Sequence, residues 1–182
     1  TQANFADGSS ESLSINGATG GGTISNLGNL SDADAGTFTL SSVAYAFSVA
    51  VDSGTGTATI SFTGESGAEL STAEAEALPD SLRYNNSSDN PTASRDRVLS
   101  INAFDGAAQT SNTATSTITV VGVNDAPTLD LDPNQASNDY SFTFTEDDSA
   151  TTITGASGTS LADVDSSSFD TINIAVAQAS FA

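Results

Sequence analysis

The chain has 182 residues with 3 basic and 23 acidic side chains, a net charge of −20, and no lysine, histidine or cysteine. That balance excludes a nucleic-acid surface, whose affinity comes largely from Lys and Arg neutralising phosphates. The missing cysteine excludes disulfide staples, thiolate nucleophiles and thiolate metal ligands.

Carboxylates at this density repel one another and oppose compaction unless positive charge sits among them. Bulk salt acting on a halophile-like surface and discrete divalent ions held by clustered Asp and Glu are both open as sources. No apolar run approaches the roughly 18 residues needed to cross a bilayer, so this segment is not expected to insert into a membrane. The opening residues carry no basic, apolar signal segment, and the chain reads as a soluble fragment or a cut from something longer. Its 37% apolar content lifts it above the disordered class.

In chain order, period-two alternation appears first at Leu13/Ile15. It returns at Phe38/Leu40, at Val43/Tyr45/Phe47/Val49/Val51, and at Ile60/Phe62. These spacings predict half-buried strands. Turn clusters punctuate them at Asn16-Gly17, Gly20-Gly21-Gly22 and Asp52-Ser53-Gly54, and again at Asp105-Gly106. One helical interruption is predicted over residues 71–79. There Ser71-Thr72-Ala73-Glu74 forms a capping box ahead of an Ala- and Glu-rich stretch, and Pro79 is expected to end or kink it. Further strands are expected at Leu99/Ile101/Ala103, Ile118/Val120, Tyr140/Phe142/Phe144 and Ile172/Ile174/Val176. Strands with one watery face suit antiparallel sheets, and regular punctuation points to an all-β antiparallel sandwich.

The two ends match each other. Thr1-Gln2-Ala3-Asn4-Phe5-Ala6 and Ala177-Gln178-Ala179-Ser180-Phe181-Ala182 are identical at four of six positions. Setting Gln2 on Gln178 gives a period of 176 residues, one full repeat plus a short overlap. The most linker-like stretch is internal, at Asn124-Asp125-Ala126-Pro127. Residues 1–124 therefore read as the later strands of one domain, and residues 125–182 as the linker and opening strands of the next. Two outcomes are open: the pieces close into a permuted domain, or each completes itself with a neighbouring chain.

Strand Thr117–Val123 running into Asn124-Asp125-Ala126-Pro127, preceded by Ile101-Asn102-Ala103-Phe104-Asp105-Gly106, resembles the closing strands and linker of a bacterial cadherin-like domain. Such domains occur in the tandem repeats of large secreted RTX-type adhesins. Leu82–Pro91 (LRYNNSSDNP) is likewise similar to a stretch of those repeats.

The resemblance implies an immunoglobulin-like sandwich with Ca2+ at the linker. Its site residues would be Asn124, Asp125, Asp163, Asp165, Glu146 and Asp105, not all serving one ion. Asp163 and Asp165 would join Asn124 and Asp125, while Glu146 would face the next linker. Oxygen donors are what calcium takes, six to eight of them, and side chains two apart in an extended segment point the same way. The sequence departs from the pattern at Gly122, where the usual first Asp of the linker is missing. A period of 176 residues also exceeds the roughly 100 of an immunoglobulin-like sandwich. That excess implies an inserted hairpin or a second small domain in residues 1–50.

The remaining acidic pairs, Asp32/Asp34, Asp130/Asp132 and Asp147/Asp148, are read as solvated turns, and Glu74 and Glu76 as a solvated helix face. No enzyme is expected. Without His, Cys or Lys there is no conventional nucleophile–base pair and no Schiff base. A two-carboxylate glycosidase would need an aromatic sugar cleft, and the chain has no Trp and three Tyr. Tyr140 and Phe142 are read as core.

The leading expectation is a calcium-rigidified spacer repeat at the bacterial cell surface, its partners the neighbouring repeats of the same protein. Two alternatives stand beside it. One is an extracellular fibre subunit that builds a homo-polymer by strand exchange; the other is a calcium-dependent carbohydrate-binding module.

Overall fold

The computed structural model describes residues 5–107 and 109–176. Of the two matching ends, only Phe5 and Ala6 fall within them. The protein is built of antiparallel β-strands with a single short α-helix, and it divides into two compact units, Thr1–Gly122 and Val123–Ala182. The division falls two residues before the 124/125 boundary read from the linker.

In the first unit, β1 (Glu11–Ile15) lies between β2 (Thr23–Ser25) and β6 (Leu82–Asn86). The β1–β2 turn needs Gly20, Gly21 and Gly22, which all have positive φ, and a side chain at Gly21 would run into the Thr37 carbonyl. A second sheet has the order β3 (Ala35–Leu40), β4 (Val43–Asp52), β5 (Thr57–Gly64). Its first hairpin closes on a two-residue loop, Ser41-Ser42, with φ of 52° and 70°. This is the left-handed pair that a tight hairpin demands and that Asn-Gly would adopt more readily. The second hairpin turns at Asp52, whose carboxylate accepts from the Gly54 N–H at 2.9 Å.

Alternation delivers the core. Leu13 and Ile24 from the first sheet meet Val49 from the second, with Leu27 and Leu30 from the connection between β2 and β3. Ile15 likewise meets Phe38, Leu40 and Tyr45. The Phe38 and Tyr45 rings stack at 5.3 Å. Residues 11–50, within the 1–50 stretch expected to hold an inserted hairpin or second small domain, thus supply most of this core, and β1 pairs directly with β6.

Helix α1 (Thr72–Ser81) begins at the expected box. The Ser71 hydroxyl accepts from the Glu74 N–H, and the Ser71 N–H donates to the Glu74 carboxylate at 2.7 Å. Pro79 neither ends it nor marks its last residue. The helix runs two residues further, because a proline in the last turn costs only one hydrogen bond that the Leu82 N–H to Pro79 carbonyl bond then succeeds. The Tyr45 hydroxyl pins the helix to the sheet by donating to the Glu74 carbonyl at 3.1 Å. Strand β7 (Arg97–Ile101) pairs with β8 (Ala114–Ile118) in a separate two-stranded ribbon, tied to the core through Leu99.

The second unit is different. Its described strands are β9 (Thr128–Asp130) and β10 (Ser160–Ala162), which pair with each other. Residues 140–144 and 172–176, expected as strands, form no ladder. Phe142 is exposed rather than core, and Tyr140 stacks on it at 5.9 Å. Alternation sorts side chains between two faces but does not provide a neighbouring strand, and among the described residues none lies beside either segment. Val120, also expected in a strand, lies two residues beyond the end of β8.

Candidate functional site

The six residues expected to bind a cation separate into a gathered group and two outliers. Asp163 follows β10 and caps its own turn, its Oδ1 accepting from the N–H groups of Asp165 and Ser166, both at 3.1 Å. Such a turn is what an Asp-x-Asp adopts locally. It brings the Asp165 side chain close enough to hydrogen-bond with that of Asp163. This interaction foremost, joined by the Asp165 and Ser166 N–H groups and opposed by desolvation, holds the Asp163 carboxyl below its usual range. Two carboxylates held this close attract a cation between them.

Forty residues earlier in the chain, the linker reaches the same turn: the Asp125 N–H donates to Asp165 Oδ2 at 3.0 Å. Asn124 adjoins, its side-chain amide donating to the Asp125 carbonyl at 2.6 Å, which leaves its own Oδ1 as an acceptor. The other Asp165 oxygen, Oδ1, is sheltered from solvent and has no hydrogen-bond donor. An anionic oxygen in that position is costly unless something positive meets it.

Glu146 sits apart, on an exposed turn that the Asp148 carboxylate closes by accepting from the Thr145 N–H at 3.3 Å. Asp105 belongs to the first unit, at the tip of the β7–β8 hairpin. Its Oδ1 accepts from the N–H groups of Ala107 and Gln109 at 3.0 and 2.8 Å, a turn-forming role. Among the described residues no three carboxylates are grouped so as to hold a metal by themselves. Calcium there would draw part of its shell from amide and backbone oxygens, which it accepts readily.

The other acidic pairs are only in part the solvated turns expected. Asp34 accepts from the Ser31 N–H within its own turn, but Asp32 accepts from the Val51 N–H on β4, nineteen residues away, Asp130 ends β9 and accepts from the Asp132 N–H, and Asp132 is itself buried.

The most developed polar constellation was not anticipated. In the first unit the guanidinium of Arg97, 0% exposed, meets Glu11, also 0% exposed, at 2.6 Å and Asp7 at 2.7 Å. Its Nη1 donates to the carbonyls of Thr92 and Arg95. Glu11 also accepts from the Tyr84 hydroxyl at 2.7 Å, while Asp7 accepts from the Asn86 amide and the Thr92 N–H.

Burial alone would raise the Asp7 pKa, but its bonds to Thr92 and Asn86 and the Arg97 charge outweigh that and hold it low. Burial and the bond to Glu11 push the Tyr84 hydroxyl up to about 12. For Arg97, burial works against the charge, and the contacts with Glu11, Tyr84 and Asp7 more than restore it. Buried charges of this kind endure only when fully paired. The Leu82–Pro91 stretch, noted in the sequence only for its resemblance to adhesin repeats, contributes Tyr84 and Asn86 to this clasp. Register was the available signal: Glu11 shares a face with Leu13 and Ile15, and Arg97 shares one with Leu99.

No family model, curated protein or solved structure matches the chain.

Proposed function

We propose that the chain is a non-enzymatic, calcium-binding structural spacer of an extracellular bacterial adhesin, its neighbours being further repeats of the same protein. The supporting observation is the sheltered, donorless Oδ1 of Asp165, beside the Asp163 carboxylate and anchored to the linker through the Asp125 N–H. Asp163, Asp165 and the Asn124 amide oxygen are the residues that would hold the ion. A divalent cation there neutralises the paired carboxylates, joins residues 124–125 to residues 163–165, and so stiffens the chain where one repeat passes into the next. A net charge of −20 provides the same pressure toward cation uptake over the whole molecule.

Isothermal titration with CaCl2, run on wild type and Asp165→Asn, tests this reading. Heat of binding in the wild type that disappears in the variant is the expected result. A wild-type melting curve indifferent to both calcium and chelator would end it.

A second reading, homo-polymerisation by strand exchange, is favoured by one specific observation. Two alternating segments of the second unit, 140–144 and 172–176, are largely exposed and without ladder partners among the described residues.

A further inference from the structure

Among the described residues of the second unit, those that are buried are not apolar: they are Asp132, 8% exposed, and Gly155. The two lie against each other. A side chain at position 155 would run into Cγ and Oδ1 of Asp132, and the Gly155 N–H fixes the approach by donating to the Leu131 carbonyl at 2.8 Å. The Asp132 carboxylate is thus turned inward, over a backbone that only glycine leaves open. Its backbone N–H and carbonyl are both hydrogen-bonded, but among the described residues no donor or counter-charge meets its carboxylate. An anion enclosed without a partner is among the costliest arrangements a fold can hold. Residues 123–182 contain no basic side chain to relieve it.

Other oxygens gather around the same turn. Asp130, Asp132 and Asn134 stand at alternate positions, the spacing from which calcium loops take their first three side-chain ligands. Asp130 Oδ1 accepts from the Asp132 N–H at 2.8 Å, which leaves its Oδ2 as a donor to a cation. The Asn134 amide nitrogen donates to Ser157 Oγ, which leaves the Asn134 Oδ1 and brings a hydroxyl oxygen into the group. Ser157 is presented by a turn that the Gly158 N–H closes on the Gly155 carbonyl at 2.9 Å.

We infer that Asp132 is the centre of a second cation site, one that takes Ca2+ with Asp130, Asn134 and Ser157 as further oxygen ligands and water completing the shell. It is separate from the Asp163–Asp165 site. The β9–β10 ladder pairs Asp130 with Ser160 and Thr128 with Ala162, so the two sites flank opposite ends of it, and neither needs the other. A mixture of carboxylate, amide and hydroxyl oxygens suits calcium better than magnesium, which demands octahedral geometry and gives up its water reluctantly. The ion takes the place that leucine and valine take in the first unit: it gives an interior to a unit whose buried positions hold an acid and a glycine.

Calorimetric titration of the full chain with CaCl2, in physiological NaCl so that diffuse screening of the −20 charge does not contribute, tests the site. Asp132→Asn should bind one ion fewer than wild type, and Asp165→Asn should keep the ion that Asp132→Asn loses. Melting followed through Tyr140 should change sign: in chelator Asp132→Asn should melt higher than wild type, because an unpartnered charge is gone, and in calcium it should melt lower. If Asp132→Asn fails to fold, Asn134→Ala at an exposed position decides, and it should weaken calcium binding severalfold. Wild-type stoichiometry in Asp132→Asn, or unchanged calcium affinity in Asn134→Ala, would overturn this site and leave the Asp165 reading standing. Calcium binding lost in Asp132→Asn and untouched in Asp165→Asn would keep this site and overturn the other.

Discussion

The two units of this protein share a composition and differ in what their alternation accomplishes. In residues 1–122 the period-two runs face each other across two sheets, so that Leu13, Ile24 and Val49 bury one another and the charged trio Asp7, Glu11 and Arg97 is sealed beside them. In residues 123–176 the same kind of run meets no opposing layer. The buried residues there are Asp132 and Gly155, while Phe144, Ile174 and Val176 face outward. Alternation creates an apolar face, but stability comes from a second face that covers it. The first unit has both faces; the second has one and a polar turn.

The strongest way to break this contrast is Arg97→Ala. It strands two acidic groups in a closed polar site and should cost about 3–5 kcal/mol. Urea unfolding followed through Tyr45 and Tyr84 would report it, and Tyr140 in the second unit serves as the internal control. An effect below about 1 kcal/mol would mean that water reaches the clasp.

Core truncation comes next. Leu27, 1% exposed, should lose about 2–5 kcal/mol on mutation to alanine, whereas Ile174→Ala at low protein concentration should stay within about 0.5 kcal/mol. Equal losses at the two positions would show that the second unit buries its apolar face after all.

Calcium should act on the other side of the comparison. An ion bound only by the folded state at a hundredfold excess over its Kd adds about 2.7 kcal/mol. That increment should appear in the transition reported by Tyr140 and be absent from the Arg97-centred transition of the first unit.

The pH dependence of the first unit should be two-sided. Asp7, held low in the folded state, contributes stability that is full above its unfolded pKa of about 3.9 and is lost as pH falls through the folded value. Tyr84, raised to about 12, contributes stability that is full below its unfolded value of about 10 and lost as pH climbs from there toward 12. Melting temperatures measured across that range should decline at both ends, and Tyr84→Phe should flatten the alkaline limb.

The smallest effect is local. Ser42→Gly, at a φ of 70°, should stabilise the β3–β4 hairpin by about 1 kcal/mol, because glycine adopts that backbone without penalty.

By itself the sequence determined the antiparallel β class, the strands around Leu13, Phe38, Tyr45 and Ile60 but not β2 at Ile24, the turns at their glycines and the capped helix. Each depends on residues a few positions apart, where spacing and φ preference act without help from the rest of the chain. It also marked Asp163 and Asp165, since an Asp-x-Asp folds onto its own backbone. The resemblance had grouped Asp125 with Asp165 and set Glu146 apart, but the bond itself, across forty residues, is made by tertiary structure, which also put Asp105 at a hairpin tip. It alone decided that Glu11 and Arg97, inward by register, find each other across 86 residues. It also decided that residues 172–176, with as clean an alternation as β1, remain unpaired, because a ladder partner is a property of the fold and not of the strand that needs it.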